Sequence, residues 1–218
     1  GNALNYLSEL PQGYFISDPP YNQKYNYATY KDNLPPKEYN SLLRSVFANQ
    51  KAVIIHYPEF IINTLSKLSI GNCEDVVSWV YNSNTAKQHR LVTWWNCSPD
   101  MRLIPQPYKN PNDKRIKARI ANGESARGYD WWYIDQVKNT SKINVGHSCP
   151  LPLEIALKII QSTTKKNDIV IDCFAGSGTV GVAALMLERR FIGIEIDHWY
   201  HNSALIALNK TQKEKPKC

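Results

Sequence analysis

The sequence predicts an α/β fold: a mostly parallel central sheet, helices on both faces, and one inserted basic lobe. Three observations predict it. Asp168 to Asp172 is a β-branched run suited to a strand covered on both faces, and it runs through Phe174-Ala175-Gly176-Ser177-Gly178 into a small, apolar helix, Thr179 to Leu187. A second strand, Phe191 to Glu195, follows and ends in a carboxylate about 19 residues after Gly176. Near the other end, a short strand, Tyr14 to Ser17, runs directly into Asp18-Pro19-Pro20-Tyr21.

The remaining elements follow in order. Asn5 to Leu10 reads as a short helix stopped by Pro11 and Gly13. After the two prolines, Asn22 to Asn33 is polar and tyrosine-rich without periodicity, which predicts a mobile loop. Pro36 to Ala48 reads as a helix, Lys51 to His56 as a strand, and Glu59 to Leu68 as a helix. Val76 to Tyr81 and Leu91 to Trp95 read as strands. Leu153 to Gln161 is a helix, and Asp197 is placed to cap a last helix, His198 to Asn209, before a polar tail.

Composition narrows the class. A chain of 218 residues suits one domain with an inserted lobe. No run of about 18 apolar residues occurs, so no membrane-spanning helix is expected. Residues 1–4 show no signal-peptide pattern, and five scattered cysteines form no C-x-x-C pair. These features predict reduced thiols, a cytoplasmic setting and no metal site. The net charge of +7 points to an acidic partner, nucleic acid first. Between Lys87 and Lys142, eleven basic residues face five acidic ones, so most of the excess lies in this stretch. Three parts result: 1–86 as one half of the main domain, 87–142 as an inserted basic recognition region, and 143–218 as the other half. Lys87, Arg90, Lys109, Lys114, Arg115, Lys117 and Arg119 are the candidates for gripping a phosphate backbone, with a solvated basic loop as the alternative. Trp131 and Trp132 read as anchors of a small core rather than as base stackers.

Two turns carry chemistry. Without a Cβ, Gly176 and Gly178 let the backbone turn tightly and approach a ligand. The unpaired amides at the helix start beyond them favour an anion. A carboxylate at Glu195 can accept hydrogen bonds from both hydroxyls of a ribose. The spacing fits dinucleotide and adenosine binders alike, although G-x-G-x-x-G is incomplete. An ordinary tightened turn is the bland alternative. Asp18-Pro19-Pro20-Tyr21 holds an acid and a ring on a stiffened turn at a strand's carboxyl end, where open α/β sheets bind ligands. His147 opens the segment before the helix at Leu153.

Taken together, Asp18-Pro-Pro-Tyr21, the His147 to Pro152 segment, and Phe174-Ala-Gly-Ser-Gly178 with Glu195 resemble the amino-group DNA methyltransferases that use S-adenosylmethionine. D-P-P-Y before F-x-G-x-G is similar to that family's β arrangement, and the resemblance covers nearly the whole chain. It implies a Rossmann-like methyltransferase fold and N6-adenine methylation of a flipped-out base in double-stranded DNA, of restriction-modification or orphan type. It implies catalytic roles for Asp18, Pro19, Pro20 and Tyr21. It implies cofactor contacts from Asn2, Ala3, Asp18, His147, Asp172, Phe174, Ala175, Gly176, Ser177, Gly178, Thr179, Glu195 and Ile196. A homodimer and a companion restriction nuclease are further partners it allows. Two departures stand out: His147-Ser-Cys-Pro-Leu-Pro152 replaces the family's H-P-T-x-K-P, and Gly1-Asn2 its Gly-Asp. The alternatives are an N4-cytosine methyltransferase and, further off, a non-catalytic nucleic-acid-binding domain that kept the fold.

Overall fold

Alternation along the strands divides the side chains between two cores. In the computed structural model, which describes residues 1–25, 27, 29–137 and 150–214, a seven-stranded sheet is built from β1 (Tyr14–Ser17), β2 (Lys51–His56), β3 (Cys73–Val80), β4 (His89–Trp95), β5 (Trp131–Tyr133), β6 (Ile169–Asp172) and β7 (Arg190–Gly193). Ile16, Val53, Ile55 and Val170 face one core; Phe15, Ala52, Ile54 and Ile171 face the other. The first core is closed by α4 (Leu153–Thr163) and α5 (Thr179–Met186), the second by α1 (Pro36–Phe47) and α2 (Pro58–Asn63). Because both faces are covered, the strands read as continuous apolar runs.

The sheet order is β5-β3-β4-β2-β1-β6-β7. β4 runs against both of its neighbours, and every other pairing is parallel. β1 passes its chain to β2 on one side, while β6 passes its chain to β7 on the other. The connections diverge there and open a crevice beyond the carboxyl ends of β1 and β6, which pair through Tyr14↔Val170 and Phe15↔Ile171.

Several sequence readings change in detail. The helix expected over Asn5 to Leu10 is two 3₁₀ turns, Ala3–Asn5 and Leu7–Glu9, and the one over Glu59 to Leu68 is α2 followed by a 3₁₀ turn at Leu65–Lys67. Both lie in short segments, where buried contacts outweigh helix propensity. Within the stretch 87–142, β4 and β5 belong to the main sheet. Residues 96–130 lie between them and carry the exposed helix α3 (Lys114–Ala121), capped by Asp113. Trp132 is buried, edge-on to Trp94 at 6.3 Å, whereas Trp131 on the opposite face of the edge strand is exposed. Asp197 caps α6 (His198–Glu214), its carboxylate accepting from the amides of Trp199 and Tyr200. Among the described residues no helix is long and apolar enough to cross a membrane.

Candidate active site

At the crevice, the two signature turns lie side by side. Asp18 follows β1 directly and Asp172 ends β6; the two strand ends are joined by the Ser17 hydroxyl, which donates to Asp172 Oδ1 at 2.7 Å. A cavity of about 670 Å³ opens beyond them, lined by Asp18 to Tyr21 from one turn and by Asp172 to Ser177 from the other. Glu195 and Ile196 beyond the end of β7, Asn2 and Ala3 at the first 3₁₀ turn, the tyrosine-rich loop after Tyr21, and α1 add to its wall. This is a volume suited to a small ligand or cofactor.

The predicted residues of the glycine turn and of the first 3₁₀ turn have specific places. Gly176 has φ 51° and donates its amide to Glu195 Oε2 at 2.7 Å; Glu195 Oε1 accepts from the amide of Asp197 at 2.9 Å. Glu195 therefore braces the turn and borders the cavity. Gly178, expected at the ligand, sits instead beneath α6: its φ is 84°, and a Cβ there would come within 2.9 Å of Ala204 Cβ. Its lack of a side chain serves helix packing. Thr179, one residue on, lines the cavity. Asn2 caps the first 3₁₀ turn by accepting from the Leu4 amide. His147 lies outside the described residues.

Asp172 is buried, and burial pushes its carboxyl up to about 7, helped by the charges of Glu195 and Asp18 and opposed by the bonds from Ser17 and the Phe174 amide. With Asp18, Asp32, Glu38, Glu195 and Asp197 it gives the cavity six carboxyl groups among the described residues, against the one guanidinium of Arg90. Such a wall fits a ligand that carries positive charge.

The proline turn is held by groups that the sequence did not single out. The Tyr57 amide donates to His56 Nδ1 at 2.8 Å, which puts the imidazole proton on Nε2. Nε2 lies 3.1 Å from the Tyr39 hydroxyl, and that hydroxyl donates to the Pro20 carbonyl at 2.6 Å. Burial and the nearby Arg90 charge push His56 down to about 3, so the ring stays neutral and the chain of hydrogen bonds keeps one direction. Asp32, also buried, accepts the amides of Asn22, Gln23 and Tyr25, fixing the first part of a loop expected to be mobile. Thr29 in the same loop donates to Asp197 Oδ2 at 2.7 Å, and both residues line the cavity.

Of the seven basic candidates, Lys114, Arg115, Lys117 and Arg119 stand exposed on α3, and Lys109 is exposed beside the Tyr129 ring. Lys87 is exposed, pairs with Glu59 at 3.2 Å, and lies over Tyr57. Arg90 is not at the surface. It is 5 % exposed and lies 3.7 Å from Asp18 Oδ2. No sequence signal separated it from its basic neighbours; only the direction of β4 does so.

Residues 14–206 match the model of the N6_N4_Mtase (DNA methylase) family. The chain belongs to this DNA methylase family. Among the relatives of this family member is the Type II methyltransferase M2.MboI of Moraxella bovis, 25 % identical over 229 residues, with 89 % of this chain and 81 % of that protein covered. M1.MboII of the same organism is 30 % identical over 123 residues, but the match spans 49 % of this chain and 46 % of the relative, less than two thirds of its length. The fold is shared with M1.HpyAVI (TM-score 0.62, 24 % identity, 96 % of each chain) and with PvuII DNA methyltransferase, described as cytosine-N4-specific (TM-score 0.65, 14 % identity, 98 % of this chain and 88 % of that one). The Rossmann-like methyltransferase fold expected from the sequence is therefore the fold of this family member.

Proposed function

We propose that this DNA methylase family member transfers a methyl group from S-adenosylmethionine to the N6 amine of adenine in a base flipped out of double-stranded DNA. The observation that carries the reading is the shared cavity, where the Asp18-Pro19-Pro20-Tyr21 turn and the Gly176 turn with Glu195 face one space. The Type II methyltransferase relatives support a role in restriction-modification. A SAM complex of the fold neighbour M1.HpyAVI supports the cofactor.

The residues present fit that cofactor. Glu195 holds a carboxylate where ribose hydroxyls would be accepted, Asp172 offers a buried acid to an ammonium, and Phe174 and Gly176 shape the turn beneath the amino-acid part. When bound, S-adenosylmethionine supplies a methyl group already activated by its positive sulfur.

The chain's own groups then act on the base. An exocyclic amine is a weak nucleophile because its lone pair is delocalised into the ring. The Asp18 carboxylate and the Pro19 carbonyl accept the two amine hydrogens, which localises the lone pair and leaves Asp18 able to take a proton as the new N–C bond forms. The prolines and the Tyr39–His56 brace on Pro20 keep these acceptors placed before charge develops. Tyr21, at the cavity wall, offers a ring to the extruded base, and such stacking is worth about 1–3 kcal/mol. The N4 amine of cytosine could use the same acceptors; the D-P-P-Y form favours adenine. Incubation with labelled S-adenosylmethionine and varied DNA, followed by nucleoside analysis, tests the reading: label in N6-methyladenosine is expected, label in N4-methylcytosine would move the assignment, and no label in any DNA would end it.

The raised Asp172 carboxyl gives a prediction. At pH 7 the unliganded group is about half protonated, and a cation placed against it drives ionisation. Cofactor binding should therefore release about half a proton at pH 7, and affinity should rise with pH up to about 7 and then level off. Calorimetry in two buffers with different protonation heats measures this. Asp172→Asn should abolish the release, and an identical heat in both buffers would count against the pairing.

Charge reversal at Lys114, Arg115 and Lys117 on α3 should weaken DNA binding and reduce the salt slope by about 0.9 for each phosphate no longer neutralised. Anisotropy titrations over a salt series read this directly, and an unaltered slope would make α3 a solvated surface helix.

A further inference from the structure

β4 is the strand that runs against the rest, so its first residues, not its last, reach the sheet edge where β1 and β2 end. The pairing His56↔Leu91 places Arg90 beside the end of β2, next to the proline turn. There the guanidinium is enclosed by aromatic rings. Its carbon lies 4.8 Å from the Tyr21 ring centre, 5.0 Å from Trp79, and 5.7 Å from both Tyr57 and Tyr81. Four π faces and a carboxylate are a costly environment to assemble around a residue that merely fills space, since an apolar side chain would pack there without desolvating a charge.

The partner of that charge is Asp18. The two side chains are 6 % and 18 % exposed and lie 3.7 Å apart, Arg90 at Oδ2 and the Tyr21 hydroxyl at Oδ1. The other titratable groups facing Asp18 are Tyr39 on α1 and Asp172 on β6; His56 on β2 packs against the Tyr21 ring. Burial pushes the Tyr39 hydroxyl well above its usual range, so it is uncharged, and His56 is neutral. Arg90 thus supplies the positive charge at this carboxylate among the described residues.

We infer that Arg90 is a positioning residue for methyl transfer: an aromatic cage of Tyr21, Tyr57, Trp79 and Tyr81 fixes its guanidinium against Asp18 and holds that carboxyl group aimed within a buried site. The inference rests on the proposed function and deepens it. Asp18 must be a carboxylate to accept from the amine; burial, the larger effect, pushes its carboxyl above the usual range, and Arg90 and the Tyr21 hydroxyl pull it part of the way back. The guanidinium stays charged at every working pH, which a lysine in such a setting would not.

The test uses the full chain with Arg90→Met, Arg90→Lys, Asp18→Asn and the double variant Asp18→Asn/Arg90→Met. In Arg90→Met the kcat should fall by about 10- to 100-fold with KM for S-adenosylmethionine nearly unchanged. The acid limb of its kcat–pH profile should move up by about one pH unit. Arg90→Lys, whose buried ammonium loses its proton more readily than a guanidinium, should move the acid limb less than Arg90→Met does. Thermal melts give a readout apart from activity: the melting loss caused by Arg90→Met should shrink in the Asp18→Asn background. If Arg90→Met does not fold, Arg90→Lys and the double variant still carry the comparison. An unmoved acid limb in an active variant, or the same melting loss in both backgrounds, overturns the inference alone. A wild-type chain that methylates no DNA overturns the reading of the site and this inference with it.

Discussion

Asp18→Ala is expected to lower methyl transfer at least about a hundredfold while leaving S-adenosylmethionine affinity nearly intact. The carboxylate stands one residue beyond β1, on the side of the cavity formed by the proline turn, while the Gly176 turn and Glu195 form the other side. Removing it takes away an acceptor for the amine and the group that would take its proton, but no brace of the glycine turn. A second effect follows from the same geometry. Arg90 would be left buried beside a methyl group, and stripping one partner from a buried ion pair costs about 3 kcal/mol. Activity must therefore be compared well below the melting temperature. Asp18→Asn separates the two effects, since its amide keeps an oxygen acceptor without the charge. Retention of more than a few per cent of wild-type transfer by folded Asp18→Ala would falsify the catalytic assignment of this residue.

Glu195→Ala should weaken cofactor binding by about two to three orders of magnitude. Hydrogen bonds to a charged acceptor contribute about 1.5–3 kcal/mol each, and a ribose offers two hydroxyls. The carboxylate also holds the Gly176 amide at 2.7 Å and the Asp197 amide at 2.9 Å, so its loss loosens the turn that shapes the rest of the cofactor site. Glu195→Gln should fall between wild type and alanine because one oxygen acceptor remains. At saturating cofactor, kcat should change far less than affinity. Calorimetric affinity equal to wild type would remove Glu195 from the ribose role.

These two residues were legible in the sequence for a physical reason. A strand with a carboxylate at its end, a glycine turn and a small-residue helix are local patterns, each decided by a few neighbouring residues. Lys51 to His56 and Pro36 to Ala48 were legible in the same way, from continuous apolarity and from helical periodicity behind prolines. The helix near residue 60 was legible in its first part, α2, but its 3₁₀ continuation and the 3₁₀ turns near residue 5 were not, because a few residues of propensity cannot outweigh tertiary contacts. Gly178 was misplaced toward the ligand because its neighbour Ala204 is distant in sequence.

The sequence by itself determined the strand-and-turn units, the two acids at their ends and the basic character of the segment between them, since each depends on residue type and short-range spacing. Only the tertiary structure decided that Arg90 leaves the basic set to face Asp18, that Tyr39 and His56 fasten the Pro20 carbonyl, and that Thr29 meets Asp197. Those relations depend on which strands are neighbours and in which direction each one runs. A reversed β4 brings residue 90 to the edge where residue 18 ends, and nothing local to either residue encodes that meeting.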